Sequence, residues 1–340
     1  MSEKTKSENK KKTNKKTTAS DKDKMLRLAG RIVAGAYYDY QEVRKAMMNR
    51  IRDIVRKKAE GIPFDEVEKK QDNDKKTFDK KYSDEQLITT LASIKDELTD
   101  KEYKYMVKVF NLAVEAKKME NNYKKTMQDY ISSEIIYREF LQHIRGVSVI
   151  LSANLIKEFG YCEKYKYVSS LWKHCGFDVQ NGVSPRRQVG MQAKYSPRKK
   201  TLGWKIADCM IKHKTPLYYD LYLKYKQKQL EKEYPKGYLA SKYNYIKRDG
   251  TVVEVYDKKD IKLKQWHAHA RAKRYIAKIF FEHYFVACKE LSGQDVTEPW
   301  IIKHGGHKDY ISWKDAVEAN KKAKKSLNKK KKNSKKAKNE

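Results

Sequence analysis

From Met25 to about Lys58 the residues Leu28, Ile32, Val33, Tyr37, Tyr40, Val43, Met47, Ile51, Ile54 and Val55 recur at intervals that place them on one face of a helix. Residues 59–82 include Gly61-Ile62-Pro63 and a run of Lys, Gln, Asn and Asp, which reads as a polar linker. Two capping boxes follow, Ser83 with Gln86 and Thr99 with Glu102. Each opens another helical run, the second extending toward Ile144. No alternating strand pattern occurs in the first 140 residues. Farther along, Ser196-Pro197 and Thr215-Pro216 set a capping hydroxyl before a proline, predicting helices at about 197–213 and 216–233. Residues 243–256 read as a hairpin turning at Asp249-Gly250. A long helix then runs from about Lys259 to Leu291 and is stopped by Gly293.

Charge changes this picture at both ends. The chain has 340 residues, 78 Lys+Arg, 44 Asp+Glu and a net charge of +34. Residues 1–24 contribute +5 and residues 319–340 contribute +10, so the middle is basic in its own right at about +19. The two ends are low-complexity Lys/Asn/Ser/Thr tracts that lack apolar surface to bury, and they are expected to be disordered basic arms. Such an excess of cations opposes compaction and is relieved by a polyanion. A membrane surface fits less well, because the cations do not gather on one amphipathic helix. No apolar run is long enough to span a bilayer. Cys162, Cys175, Cys209 and Cys288 are widely spaced, which suits a reducing compartment rather than a disulfide framework. The expected location is therefore cytoplasmic.

Two stretches carry nucleic-acid chemistry. Leu141-x-x-Ile144-x-Gly146-Val147-Ser148 leading to Ala153 and Ile156 reads as a helix-hairpin-helix. In that element the backbone N–H groups near Gly146 and Ser148 face a phosphate at a helix N-terminus. Between Val179 and Ala207 there is no acidic residue, while Arg186, Arg187, Lys194, Arg198, Lys199, Lys200 and Lys205 fall within it. Ser184-Pro185 and Ser196-Pro197 fix the turns from which these cations project, a surface suited to a phosphate ladder. Tyr218, Tyr219, Tyr222 and Tyr225 lie at core-forming helical spacing. The Cys and His residues match no recurrent zinc spacing and read as structural; no metal site or cofactor is expected, and magnesium would require a carboxylate set that the sequence does not display.

The fold class that emerges is mainly α. It comprises a helical N-terminal region (25–140), a helix-hairpin-helix-containing central domain (141–235), one small β-hairpin with a long C-terminal helix (236–318), and disordered basic tails (1–24 and 319–340).

Residues 141–230 resemble a known domain. The run Ile144-Arg145-Gly146-Val147-Ser148, the segment from Ala153 to Gly160, Leu171 to Phe177, and then Gly182, Ser184, Gly190, Tyr195-Ser196-Pro197, Lys200 and Leu202 are similar in order to the C-terminal domain of the IS-one-ten group of insertion-sequence transposases. The resemblance implies a DNA-handling protein of a mobile element or virus, acting in transposition, with a structured RNA and self-association as further partners. It also implies a reactive serine, for which Ser184 is the nearest match, although Pro185 stands where the family has glycine. The family's RNase H-like domain with its metal-binding carboxylates has no counterpart in the helical first 140 residues. Two functions follow as expectations: a transposase-like recombination protein, or a non-catalytic DNA-binding protein on the same domain.

Overall fold

The computed structural model describes residues 19–60, 84–93, 95–179, 184–185, 191–246, 250–294, 296 and 311–336. Helix α1 (Ala19–Glu60) has 42 residues, about 63 Å at the helical rise. It pairs with α3 (Asp100–Ser132), which begins at the expected Thr99 cap with both bonds of the capping box formed. The two run antiparallel: Gly30 meets Tyr130, Tyr40 stacks on Tyr123 and Tyr37 bonds Glu120. Their outer halves, with α2 (Asp84–Ser93), enclose a separate small core of Met48, Ile51, Val55, Leu87, Leu91 and Met106. Their inner halves add Ala34, Tyr37, Met127 and Ile131 to the main core. Between the two cores sits Glu120, 3% exposed, which accepts from Arg44 Nε at 2.8 Å and Gln41 Nε2 at 3.1 Å. Burial pushes this carboxyl up, but the bonds from Arg44 and Gln41 outweigh it and hold it below the usual range.

After Ser132 the chain does not continue as one helix to Ile144. It breaks into α4 (Ile135–Glu139) and a 3₁₀ turn at Leu141–His143. Helix α5 (Val149–Phe159) packs against α1 and α3, so the boundary expected at 140/141 crosses a shared core. Next come α6 (Val168–His174), α7 (Pro197–Lys212) and α8 (Tyr218–Glu231). Helix α7 starts at the expected Ser196 cap, whose hydroxyl accepts from Lys199 N. Helix α8 is not capped by Thr215, because that hydroxyl donates to Arg145 O at 2.6 Å instead. Leu217, at φ +71°, precedes the helix. Tyr218 and Tyr222 are buried, and Tyr225 stacks on Tyr275, as the spacing indicates.

The short α9 (Tyr238–Tyr243) leads into an antiparallel hairpin of β1 (Tyr245–Ile246) and β2 (Val252–Val253), with Tyr245 opposite Val253. Gly250 lies in its turn at φ +83°, and Asp249 is outside the described residues. The long helix α10 (Gln265–Leu291) begins six residues later than expected. Every residue from Phe280 to Lys289 is buried, the polar Glu282, His283 and Lys289 among the apolar side chains. Its Phe280 and Phe281 rings contact Phe140, Phe159, Phe177 and Tyr218, so α10 is the post on which the other helices dock.

The C-terminal tract departs from expectation. Residues 319–336 are helical, the continuation of α11 (Trp313–Lys336). Trp313, Ala316, Val317 and Asn320 are buried on the core and fix the first two turns; lysine and alanine then continue the helix at little propensity cost. At the other end, residues 19–24 are the start of α1, while the arm before them and the linker at 61–83 lie outside the described residues.

Two adjacent core residues on α10 titrate in opposite senses. His283, 1% exposed, bonds Tyr218 OH through Nδ1 at 2.7 Å and donates from Nε2 to Ile311 O at 2.9 Å. Burial pushes its pKa down to about 4, so the stability it confers is present above pH 6.5 and is lost as pH falls toward 4. Glu282, 9% exposed, is pushed up to about 7 by burial. Its contribution is present below pH 4.5 and lost as pH rises to about 7. Removing that ionisation with E282Q should therefore make the variant gain on the wild type as pH rises through this window, by up to about 3 kcal/mol. Urea midpoints at pH 4.5, 5.5 and 7 check this; parallel curves contradict it.

Candidate nucleic-acid interface

The hairpin turn forms as the sequence indicates. Gly146 adopts φ +89°, and the Ser148 hydroxyl accepts from Leu151 N to cap α5. Arg145, just before the turn, is held by the protein on both sides of its backbone. Thr215 binds Arg145 O, and Asn320 on α11 accepts from Arg145 N at 3.1 Å. A Cβ on Gly146 would lie 3.1 Å from Cys209 O, so the turn presses against the end of α7. Gly146 and Ser148 thus aim α5, and a groove lies at that helix's other end.

That site is a groove of about 810 Å³ between α1, the C-terminal half of α5, the loop before α6 and the first turns of α7. Arg31, Lys157, Lys164, Arg198, Lys199 and Lys205 line it, against the carboxylates Asp39, Glu158 and Glu163. Arg198 approaches Glu158 only at 3.8 Å. Lys157 is half-buried; burial pushes its ammonium down, and Arg198 and Arg31 add to the effect against Glu158. Lys205 lies over the Tyr38 ring at 5.4 Å, and Tyr38 OH accepts from Asn154 Nδ2 at 3.4 Å.

Lys199 is the most constrained of these cations. Its Nζ donates to Tyr165 OH at 3.3 Å, and that hydroxyl lies 2.7 Å from His174 Nδ1. An ammonium can only donate, so the tyrosine proton faces His174 and the imidazole accepts it. Burial, reinforced by Lys199, pushes His174 down, which keeps it in this neutral accepting form. Burial also pushes the Lys199 ammonium down, while Glu158 opposes that change. The Lys199 Nζ also sits 4.9 Å over the Phe159 ring. The chain fixes one cation at the groove floor at the cost of its freedom. Among the described residues, no group of three or more His, Cys, Asp or Glu side chains is placed to hold a metal.

Comparison with protein-family models, with curated proteins and with solved structures finds no match to this chain. The site therefore rests on its own geometry.

Of the residues expected to meet phosphate, Arg198, Lys199 and Lys205 line the groove. Lys200 serves the fold: its Nζ donates to Pro185 O at 2.7 Å and lies 4.4 Å over the Tyr195 ring. Lys194 is exposed and does not line the groove. Arg186 and Arg187 lie outside the described residues. Ser184 is half-buried, and the hydrogen bonds of the described residues place no base on its hydroxyl. Cys209 and His213 meet through a bond from His213 Nδ1 to Cys209 O at 2.8 Å, a helix-end contact. Three lining cations lie outside the acid-free stretch: Arg31 belongs to α1, which the sequence places in a separate region, and Lys157 and Lys164 stand beside Glu158 and Glu163, where the local charge pattern is mixed. Gly30 and Gly35 within α1 were the available signal: glycine inside a helix usually has a packing or functional reason.

Gly146→Ala should lower stability by about 1–2 kcal/mol, since the backbone is left-handed there and a methyl group meets Cys209 O. Thermal melting of the variant checks this, and an unchanged midpoint would mean that the turn is not what orients α5.

Proposed function

We propose that this chain binds DNA, with the groove between α1, α5 and α7 as the principal contact and α11 as an accessory one. The observation that carries the reading is the convergence of six cations from separate elements on one groove with only three carboxylates among them. A solvated surface has no reason to bring like charges from distant segments together. A phosphate backbone relieves their repulsion and releases its own counterions on binding. The supporting surface is α11, where Lys321, Lys322, Lys324, Lys325 and Lys329 are exposed and no residue from 321 to 329 is buried. Such a helix adds phosphate contacts without sequence preference. Among the described residues no helix is long and apolar enough to cross a membrane.

The reading is one of binding rather than strand transfer. A serine nucleophile requires a neighbouring group to activate it, and near Ser184 the Lys200 ammonium is placed on the Pro185 carbonyl. The DNA-binding reading needs no such group.

Replacing Arg31, Lys157, Lys164, Arg198 and Lys205 together with Gln should weaken oligonucleotide binding and flatten its salt dependence. Each phosphate that is no longer neutralised lowers the log–log slope by about 0.9 for duplex and about 0.7 for single strands. Fluorescence anisotropy across a salt series reads the slope directly; a slope equal to that of the wild type would remove the groove as the contact surface.

A further inference from the structure

We infer that the groove seats a single nucleic-acid strand rather than a duplex, with the open face of α1 at Gly35 accommodating a base or sugar. The inference rests on the DNA-binding reading and narrows its substrate class.

The two glycines of α1 differ in what they do. A Cβ on Gly30 would lie 2.5 Å from the Tyr130 ring, so the packing of α1 on α3 requires glycine there. A Cβ on Gly35 would meet nothing within 4 Å. Glycine in a helix interior costs about 1 kcal/mol relative to alanine, and at position 35 nothing among the described residues accounts for it. Gly35 lines the groove, and a missing side chain lets an outside group approach the helix backbone closely.

Size and shape point the same way. About 810 Å³ is the scale of a site that encloses a small ligand, large enough for a short stretch of one strand. A duplex, whose major groove alone is about 12 Å wide, would touch only the rim. The cations come from separate elements around the groove, Arg31 from α1, Lys157 from α5 and Arg198 and Lys205 from α7. A single strand that enters the groove reaches cations from all three elements, whereas a duplex held at the rim does not. Aromatic surface is present beside them: Tyr38 is half-buried at the groove wall with Lys205 over its ring. Single-strand sites combine cations that follow the backbone with aromatic rings on which bases stack.

The test uses the full chain with a fluorescent mixed-sequence 12-mer deoxyoligonucleotide and the duplex of the same sequence, at equal salt. Charge density alone favours the duplex, so a single-strand preference is diagnostic. The wild type is expected to bind the single strand at least about tenfold more tightly, the scale of one base stacked on an aromatic ring. Gly35→Leu, which fills the open space and raises helix propensity, is expected to bring that ratio close to one, with Gly35→Ala intermediate. A wild-type preference for duplex, or a ratio that Gly35→Leu does not move, overturns the single-strand inference while DNA binding stands. Failure of the wild type to bind either oligonucleotide at low salt removes the DNA-binding reading as well. The wild-type ratio is informative even if the leucine variant fails to fold.

Discussion

The arrangement depends on like charges held against one another. Lys157 is half-buried near Arg31 and Arg198, and Lys199 is half-buried at the groove floor. Left to electrostatics, these walls would separate. They stay in place because each is fixed to the apolar core from behind: α1 through Ala34 and Tyr37, α5 through Leu155, Ile156 and Phe159, and α7 through Leu202 and Ile206. The hydrophobic effect, which is non-directional, thus opposes a repulsion concentrated in one place. On the proposed reading, a phosphate backbone is the group that resolves this conflict.

The core is organised to make this possible. Helix α10 is buried along its last three turns and receives α6, α7 and α8 on its sides, while Tyr284 OH reaches Gly160 O at 2.7 Å and fixes the end of α5 at the groove. Histidines in this body pair with tyrosine hydroxyls: Tyr218 with His283, Tyr222 with His269, Tyr256 with His267, and Tyr165 with His174. Each pair satisfies polar groups that burial would otherwise penalise. The last pair differs in its place, because it carries the Lys199 contact and so joins the core's polar bonding to the groove.

Local structure was legible in the sequence wherever local chemistry determined it. The Thr99–Glu102 box, the Ser196-Pro197 start, the tyrosine spacing on α8 and the positive-φ turns at Gly146 and Gly250 all appear as read. Tertiary packing accounts for the differences. Thr215 leaves its helix because Arg145 O is closer to hand, and the lysine-rich end becomes helical because four residues upstream dock on the core. Leu28, Ile32 and Val43 are exposed although they fit the α1 stripe, since the pairing with α3 selects a slightly rotated face. The candidate site was half visible: the acid-free stretch contributes Arg198, Lys199 and Lys205. The opposing wall comes from residues more than 150 positions earlier, and no local pattern reveals such a juxtaposition.

Hydrogen–deuterium exchange of the full chain with and without a single-stranded deoxyoligonucleotide tests the central claim most directly. The account predicts slowed exchange in α1 around residues 31–39, in the segment from Asn154 to Tyr165 and in the first turns of α7, with α8 and α9 unchanged. Protection confined to α11, or spread evenly over the surface, would contradict it.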